Sequence, residues 1–269
     1  MGKCSSCPSR PALHRMGLDV GRWDYVVALA GNPNTGKSTV FNALTGLRQH
    51  TGNWPGKTVT RAEGGYRFEG HSYKLVDLPG TYSLLSASQD EEVARDFLLF
   101  GRPDCTVIVA DATCLERNLN LTLQVLEISS KVVVCVNLID EARRKGISVH
   151  VRALARELGV PAVPAIARTS RGLRELTSTV ADMVAGRIET NPFRVRGDGA
   201  FHHAVDELLP LIEQAAPGLP NARWVAMRLL DGDHNVARAL RAGELGGSTT
   251  RERESERPRP LEPALGGVR

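Results

Sequence analysis

Aromatic residues are scarce in this chain: six Phe, four Tyr and three Trp among 269 residues. The apolar load, 42% of the sequence, therefore falls on aliphatic side chains, and a core built mainly of rings is excluded. Cysteine is also sparse, with five in all. Cys105 and Cys135 stand in apolar runs and read as buried thiols, so no disulfide framework is implied. No stretch approaches the ~18 consecutive apolar residues of a membrane span. The opening Met1-Gly2-Lys3-Cys4-Ser5-Ser6-Cys7 leads into no apolar run of the kind that marks a secretory signal. Charge of one sign is missing too. Thirty-four Lys and Arg face 30 Asp and Glu, for a net charge of +4, and a bias that weak and diffuse gives no argument for nucleic acid. The remaining expectation is a soluble, cytosolic protein of one or two domains, at ~100–200 residues per domain.

What is present is an alternation of short apolar runs and helical patterns. Strands are expected near 25–30, 64–68, 72–77, 105–111, 132–136 and 161–164, and helices near 37–46, 90–100, 118–129, 151–158 and 172–186. Phe68-Glu69-Gly70-His71 reads as a tight hairpin turn. The other connections carry helices, which predicts a mostly parallel six-stranded sheet covered on both faces, an α/β fold. Residues 1–22 read as a loose leader and 23–188 as this domain. Residues 189–246, with helical spacing and no strand candidates, read as a small all-helical appendage. The Arg/Glu/Pro-rich 247–269 reads as a disordered tail or linker.

The most specific run is Gly31-Asn32-Pro33-Asn34-Thr35-Gly36-Lys37-Ser38. It fits G-x-x-x-x-G-K-[ST] between a strand and a helix, the context that a phosphate-binding P-loop needs. Loop amides and the helix N-terminus cradle phosphate oxygens, so Asn32, Asn34, Thr35, Gly36, Lys37, Ser38 and Thr39 are expected around them. Lys37 would reach the β- and γ-phosphates and Ser38 would ligate magnesium. Asp77-Leu78-Pro79-Gly80 follows a strand, placing Asp77 to hold magnesium through water and the Gly80 N–H to meet the γ-phosphate. Asn137-Leu138-Ile139-Asp140 also follows a strand. Its carboxylate suits the N1–H and exocyclic amine of guanine, though Asn or Asp there also serves as a helix N-cap. Between these motifs, Thr51-Gly52-Asn53-Trp54-Pro55-Gly56-Lys57-Thr58 reads as a mobile loop ordered by the γ-phosphate. Gly56 would lie near the nucleotide, and Thr58 would offer its hydroxyl to magnesium, with Thr51 and Thr60 as competitors. Trp54 is either part of that loop or a buried anchor.

Together these residues resemble the GTPase domain of the FeoB family of bacterial ferrous-iron transporters. The likeness rests on Gly31-Asn32-Pro33-Asn34, Gly52-Asn53-Trp54-Pro55-Gly56, Asp77-Leu78-Pro79-Gly80-Thr81-Tyr82-Ser83 and Asp111-Ala112-Thr113 with Leu115-Glu116-Arg117-Asn118-Leu119. Arg223-Trp224 and Leu229-Leu230-Asp231-Gly232-Asp233 resemble the end of that family's helical domain. The resemblance covers roughly residues 23–235. It implies GTP and GDP as ligands, magnesium, and potassium held by Asn34. It also implies a helical domain that slows nucleotide release and a membrane-embedded permease region of the same full-length protein, with this part on the cytoplasmic face of the bacterial inner membrane. Oligomerisation stays open.

Three departures shape the expected chemistry. Thr81 stands where many switch GTPases carry a water-orienting glutamine, and no arginine sits obviously at the phosphates, so hydrolysis is expected to be slow. Arg61 is a finger candidate by loop position only; the plainer reading is a solvated strand residue. Leu138 replaces a lysine that packs over the base. Ile166 and Ala167 take the place of a Ser-Ala pair whose amides approach guanine O6, which leaves discrimination against ATP in question. A general NTPase, a soluble assembly-factor GTPase and a nucleotide-gated module without turnover are the alternatives. Cys4 and Cys7 form a C-x-x-C with no second pair at metal-ligand spacing and read as incidental thiols. His202 and His203 read as a solvated helix start.

Overall fold

The computed structural model describes residues 10, 13–14, 16–46, 49–85, 88–194, 198–219 and 221–243. The leader cysteines and the residues beyond 243 lie outside them. Within the described residues the apolar runs become the middle of one sheet. Strands β1 (Tyr25–Gly31), β4 (His71–Asp77), β5 (Cys105–Asp111), β6 (Val132–Asn137) and β7 (Ala162–Pro164) are all parallel to their neighbours in this set. β6 is buried at every position, as expected for a strand covered on both faces. β3 (Thr60–Phe68) runs antiparallel to β4, and the Glu69-Gly70 turn that joins them holds both central residues at positive φ, 49° and 81°. That is the turn whose twist matches a hairpin.

The sheet has seven strands, in the order β2-β3-β4-β1-β5-β6-β7, rather than the expected six. The additional one is β2 (Gln49–Asn53), antiparallel to β3 with Thr51 opposite Ala62. Gln49-His50-Thr51-Gly52-Asn53 has no apolar alternation; it is a strand only because β3 offers an unpaired edge. The expected mobile loop therefore begins as an edge strand. Its turn is closed by Trp54 N–H to Val59 O and Lys57 N–H to Trp54 O, both at 3.0 Å. Trp54 is the buried anchor of the two readings, 5% exposed, edge-on to Phe97 at 5.4 Å.

Helices cover both faces. α1 (Lys37–Thr45) and α6 (Leu173–Val184) lie on the face where Val27, Leu29, Phe41, Val107, Val133, Leu176 and Val180 form one cluster. α2 (Gln89–Asp96) is continued by a π-helical turn, Phe97–Gly101, and α3 (Leu115–Ile128) lies against that turn and on β1 and β5. α4 (Ile139–Arg144) is a short helix absent from the sequence reading, and α5 (Val151–Leu158) precedes β7. Ser88 caps α2 by accepting from the Glu91 N–H, with Asp90, Glu91 and Glu92 in the first turn where the helix dipole favours acids.

Two expectations about the ends of this domain are corrected. Where the leader is described it is packed, not loose: Leu13, Leu18 and Val20 are buried. Full burial of such side chains is worth roughly 1.5–3 kcal/mol each, which offsets the ordering of the segment. The chain divides into two compact units at His202/His203, later than residue 189. The reason is local. Asn191 N–H bonds to Gly159 O, Phe193 N–H to Leu158 O and Thr190 Oγ1 to Ser130 O, so residues 190–193 run along the first unit.

The regular structure of the second unit, among its described residues, is helical: most of α7 (Gly199–Ala215), α8 (Ala222–Leu230) and α9 (His234–Arg241). Val205, Ile212, Trp224, Val225 and Val236 are buried there. Arg228 pairs with Asp231 at 2.7 Å and Asp233 at 3.3 Å, closing the Leu229–Asp233 turn. His202 and His203 fall in the first turns of α7, and His203 faces Glu207 at 3.4 Å. No described helix is long and apolar enough to cross a membrane.

Candidate functional site

The P-loop bends over the carboxyl end of β1. Gly31 and Gly36 have no room for a side chain. A Cβ on Gly31 would lie 2.6 Å from Val109 O, and one on Gly36, at φ 80°, would lie 2.4 Å from Asn137 Nδ2. Asn34 takes the left-handed conformation at φ 67°, tolerable for a short polar side chain, and is exposed. Thr35 Oγ1 donates to Asn32 O at 3.0 Å, tightening the loop. Ser38 and Thr39 open α1 and face solvent. Gly80 lies against the loop: a Cβ there would be 3.4 Å from Pro33 Cα, and the Thr81 N–H reaches Gly31 O at 3.3 Å.

Lys37 and Asp77 are brought together. Lys37 Nζ donates to Asp77 Oδ1 and, at 2.7 Å, to Leu78 O. Burial pushes the Asp77 carboxyl above the usual carboxylate range, against the pull of the neighbouring ammonium. Thr58 does not join this pair. Its hydroxyl lies 3.2 Å from Gln89 Oε1, while Lys57 pairs with Glu92 at 2.7 Å. Thr58 nonetheless lines one groove with Thr60, Pro79, Gly80, Ser88 and Gln89, and Thr51 does not. Gly56 forms the loop tip at φ 70° with open space around it.

At the other end Asn137 acts as a strut. Its Nδ2 donates to Thr35 O at 3.0 Å, and its Oδ1 accepts from the Ala167 N–H at 3.0 Å. P-loop and β7 turn are thereby tied through one buried amide. The helix-cap alternative fails here, because the cap of α4 is Leu138, left-handed at φ 62° with no side-chain cap bond. Asp140 sits in the first turn of α4. Its Oδ2 lies 3.2 Å from Arg168 Nη2, and its Oδ1 is buried without a partner. The Ile166 N–H is engaged by Arg171 O at 2.9 Å.

Sequence reasoning missed two residues. Arg168 adjoins Asp140 by way of a 3₁₀ turn, Ala167–Thr169, that no motif announces. Arg117 places its guanidinium 4.2 Å over the Tyr82 ring, and its carbonyl is 3.5 Å from Asn32 Nδ2. Arg61 is neither finger nor solvated. It is 8% exposed and engaged away from the P-loop. Among the described residues no cluster of three or more His, Cys, Asp or Glu is placed to hold a metal.

The model of a family described as ferrous iron transport protein B matches residues 25–180. The chain belongs to that family. It carries the P-loop GTPase fold of the family's G domain. The Fe(2+) transporter FeoB of Escherichia coli K12 is 39% identical over 211 residues, covering 77% of this chain and 27% of that protein. A Porphyromonas gingivalis Fe(2+) transport protein A/FeoB fusion protein is 40% identical over 216 residues, covering 79% and 26%. This chain thus spans about a quarter of the length of the curated relatives it matches. The cytosolic domain of Thermotoga maritima (T. maritima) FeoB in a GDP form superposes with a TM-score of 0.75 at 34% identity, covering 86% of this chain and 91% of that one. The cytosolic domain of L. pneumophila FeoB gives 0.73 at 33%, covering 84% and 90%.

Proposed function

We propose that this chain binds GTP, hydrolyses it slowly, and is the cytosolic regulatory part of a longer ferrous-iron transporter. The observation that carries the nucleotide reading is Asp140 Oδ1, a buried acceptor with no partner at the end of a strut that also holds the P-loop. An unmet buried acceptor costs of order 1–3 kcal/mol. Guanine N1–H and its exocyclic amine are the paired donors that fit a carboxylate, and adenine offers no such pair. The relatives that hold GDP in their solved structures support the same reading.

The sequence pattern points to the Ile166 and Ala167 amides for guanine O6, and the structure favours a neighbouring amide for that role. The Ile166 N–H is engaged by Arg171 O and the Ala167 N–H by Asn137 Oδ1, so the Arg168 N–H, next in the turn, would meet guanine O6. Asn32, Asn34, Thr35, Gly36, Ser38 and Thr39 would wrap the phosphates. Lys37 would turn from Asp77 to the β- and γ-oxygens. Ser38, Thr58 and Asp77 are the hard oxygen donors that would hold magnesium, which supplies charge neutralisation at the phosphates. Asn34, exposed beside the loop, would hold potassium. Water attacks the γ-phosphorus as the bond to the β–γ bridging oxygen breaks, giving GDP and phosphate. Gly80 stabilises the γ-oxygens through its N–H. Thr81, 4% exposed, presents no amide to orient that water. A second reading, a nucleotide-gated binding module with negligible turnover, is favoured by that same buried Thr81.

The deciding experiment measures GTP and ATP hydrolysis by the purified chain in K⁺ and in Na⁺. Turnover of GTP alone, raised by K⁺, is the expected result. Equal ATP turnover would remove the role assigned to Asp140, and GTP binding without turnover would leave the binding module. The coupling to iron rests on family membership and on relatives described as Fe(2+) transporters. It predicts that Lys37→Ala, placed in the full-length transporter, lowers ferrous-iron uptake.

A further inference from the structure

Arg61, Trp54 and the leader were three separate puzzles in the sequence, and the structure joins them. Arg61 Nη1 donates to Met16 O at 2.8 Å and Nη2 to Gly17 O at 3.0 Å. Its Nε lies 2.7 Å from Glu63 Oε1, without the alignment of a hydrogen bond. Lys74 Nζ pairs with Glu63 Oε2 and donates to Asp19 O at 2.8 Å. Arg61, Glu63 and Lys74 are each no more than 8% exposed. Two buried cations thus share one buried carboxylate, and each also donates to leader carbonyls. Charges so far from water need this completion.

The other face of the guanidinium covers Trp54, with Cζ 5.3 Å from the ring centroid. The leader also touches the Trp54 turn directly. Gly17 is left-handed at φ 76°, and a Cβ on it would lie 3.1 Å from Arg61 Nη1 and 3.1 Å from Pro55 Cγ. Met16 and Leu13 close over Gly101, next to Phe97, the ring that Trp54 meets edge-on. Trp54 in turn closes the turn that presents Thr58, through its bonds to Val59 and Lys57.

We propose that Arg61 is a positioning residue for the Trp54–Thr58 turn, and that leader residues 16–19 are the clamp that holds it in place. The proposal rests on the reading of Thr58 as a triphosphate-sensing residue. With the clamp seated, the turn keeps one anchored end while Gly56 to Thr58 remain able to move toward the P-loop. With the clamp displaced, Trp54 loses its cover and the turn loses its anchor, so closing on a γ-phosphate costs more. The base and the α- and β-phosphates lie elsewhere and do not sense the change. The expected signature is therefore selective: binding of a triphosphate weakens and binding of a diphosphate does not.

The test uses the whole chain with Gly17→Val, which crowds Arg61 and Pro55, and with Arg61→Met, which keeps an apolar stem over Trp54 but gives up the carbonyl donors. Affinities for a non-hydrolysable GTP analogue and for GDP are measured with magnesium, together with kcat and KM for GTP. Expected is a loss of about fivefold or more in analogue affinity, at the lower end of coupling between sites, with GDP affinity unchanged. The double variant should be no worse than the weaker single one, because both break one connection. Arg61→Lys should fail to rescue, since a lysine cannot serve two carbonyls and cover a ring together; it also serves as the milder probe if Arg61→Met does not fold. An unchanged analogue-to-GDP ratio in any folded variant overturns the proposal, as does an equal loss of both ligands, which marks a merely structural clamp. Failure of the unaltered chain to prefer the analogue's guanine over adenine would instead strike at the nucleotide reading itself.

Discussion

The two ends of the proposed nucleotide site are built differently. The base end is assembled: Asn137 already ties Thr35 O to the Ala167 amide, and Asp140 is already held by Arg168 on one oxygen. The γ-phosphate end is paired to itself. Lys37 is spent on Asp77 and Leu78 O, Thr58 on Gln89 and Lys57 on Glu92. The difference follows the sheet. The base end hangs from the parallel strands β6 and β7, of which β6 is buried at every position. At the phosphate end Lys37 and Asp77 also follow parallel strands, β1 and β4, but the Thr58 turn joins β2 and β3, an antiparallel edge whose residues are largely polar. Recognition that must be constant is placed on the rigid half. On the proposed reading, a response that depends on the ligand sits where Lys37 and Thr58 would exchange their present partners for phosphate and magnesium. A ligand shifts such an equilibrium only through its different affinity for the two arrangements.

Substitutions at the two ends should separate cleanly. The largest effect is expected for Lys37→Ala, which removes one partner of a buried charge pair and the phosphate-seeking cation together. Affinity should fall at least about thirtyfold for GTP and ATP alike, measured by calorimetry. Retained binding would contradict the P-loop reading. Asp140→Ala should leave the phosphate end intact and erase choice between bases. A GTP-over-ATP preference of about a hundredfold or more should shrink toward unity in competition binding. If the preference survives, guanine is read elsewhere. Arg168→Ala tests whether the preformed geometry of Asp140 matters. Its ion pair is exposed, so a loss of only about two- to fivefold in guanine-nucleotide affinity is expected, with weak ATP binding unmoved. The smallest effect concerns the rigid half alone. Burial pushes the Cys135 thiol up to about 12 and the Cys105 thiol higher, so little thiolate forms at either near neutrality. Alkylation of the folded chain, followed by mass spectrometry, should reach exposed Cys114 slowly, its thiol raised by partial burial and Asp111. Cys105 and Cys135 should be reached only on unfolding. Labelling of Cys135 at the rate of Cys114 would show the core strands to be less rigid than the comparison requires.

Much of the site was legible because its chemistry is local. A P-loop is one turn of backbone between strand and helix, and its glycines are demanded by contacts that leave no space for a Cβ. Gly36 against Asn137 is the clearest case. The hairpin at Glu69-Gly70 was legible for the same reason. Residues whose meaning depends on distant backbone were not. Arg61 looks solvated in sequence because β3 is polar. It is buried because carbonyls some 45 residues earlier complete its bonds. The strand β2 has no pattern of its own and exists through β3. The turn after β7 is shaped by Arg171, whose carbonyl accepts from the Ile166 N–H, a contact that no sequence motif records.

The sequence by itself determined the class of fold, the order of the P-loop, Asp77–Gly80 and Asn137–Asp140 motifs, and the helical nature of the second unit. These follow from short-range periodicity and from backbone conformations that few residues can adopt. Only the tertiary structure decided that the Ile166 and Ala167 amides of the β7 turn are engaged, that Arg168 holds Asp140, and that the leader packs beside Trp54. Each of these depends on which buried donors meet which carbonyls across the sheet. That pairing is settled by desolvation in three dimensions, and no local pattern of residues records it.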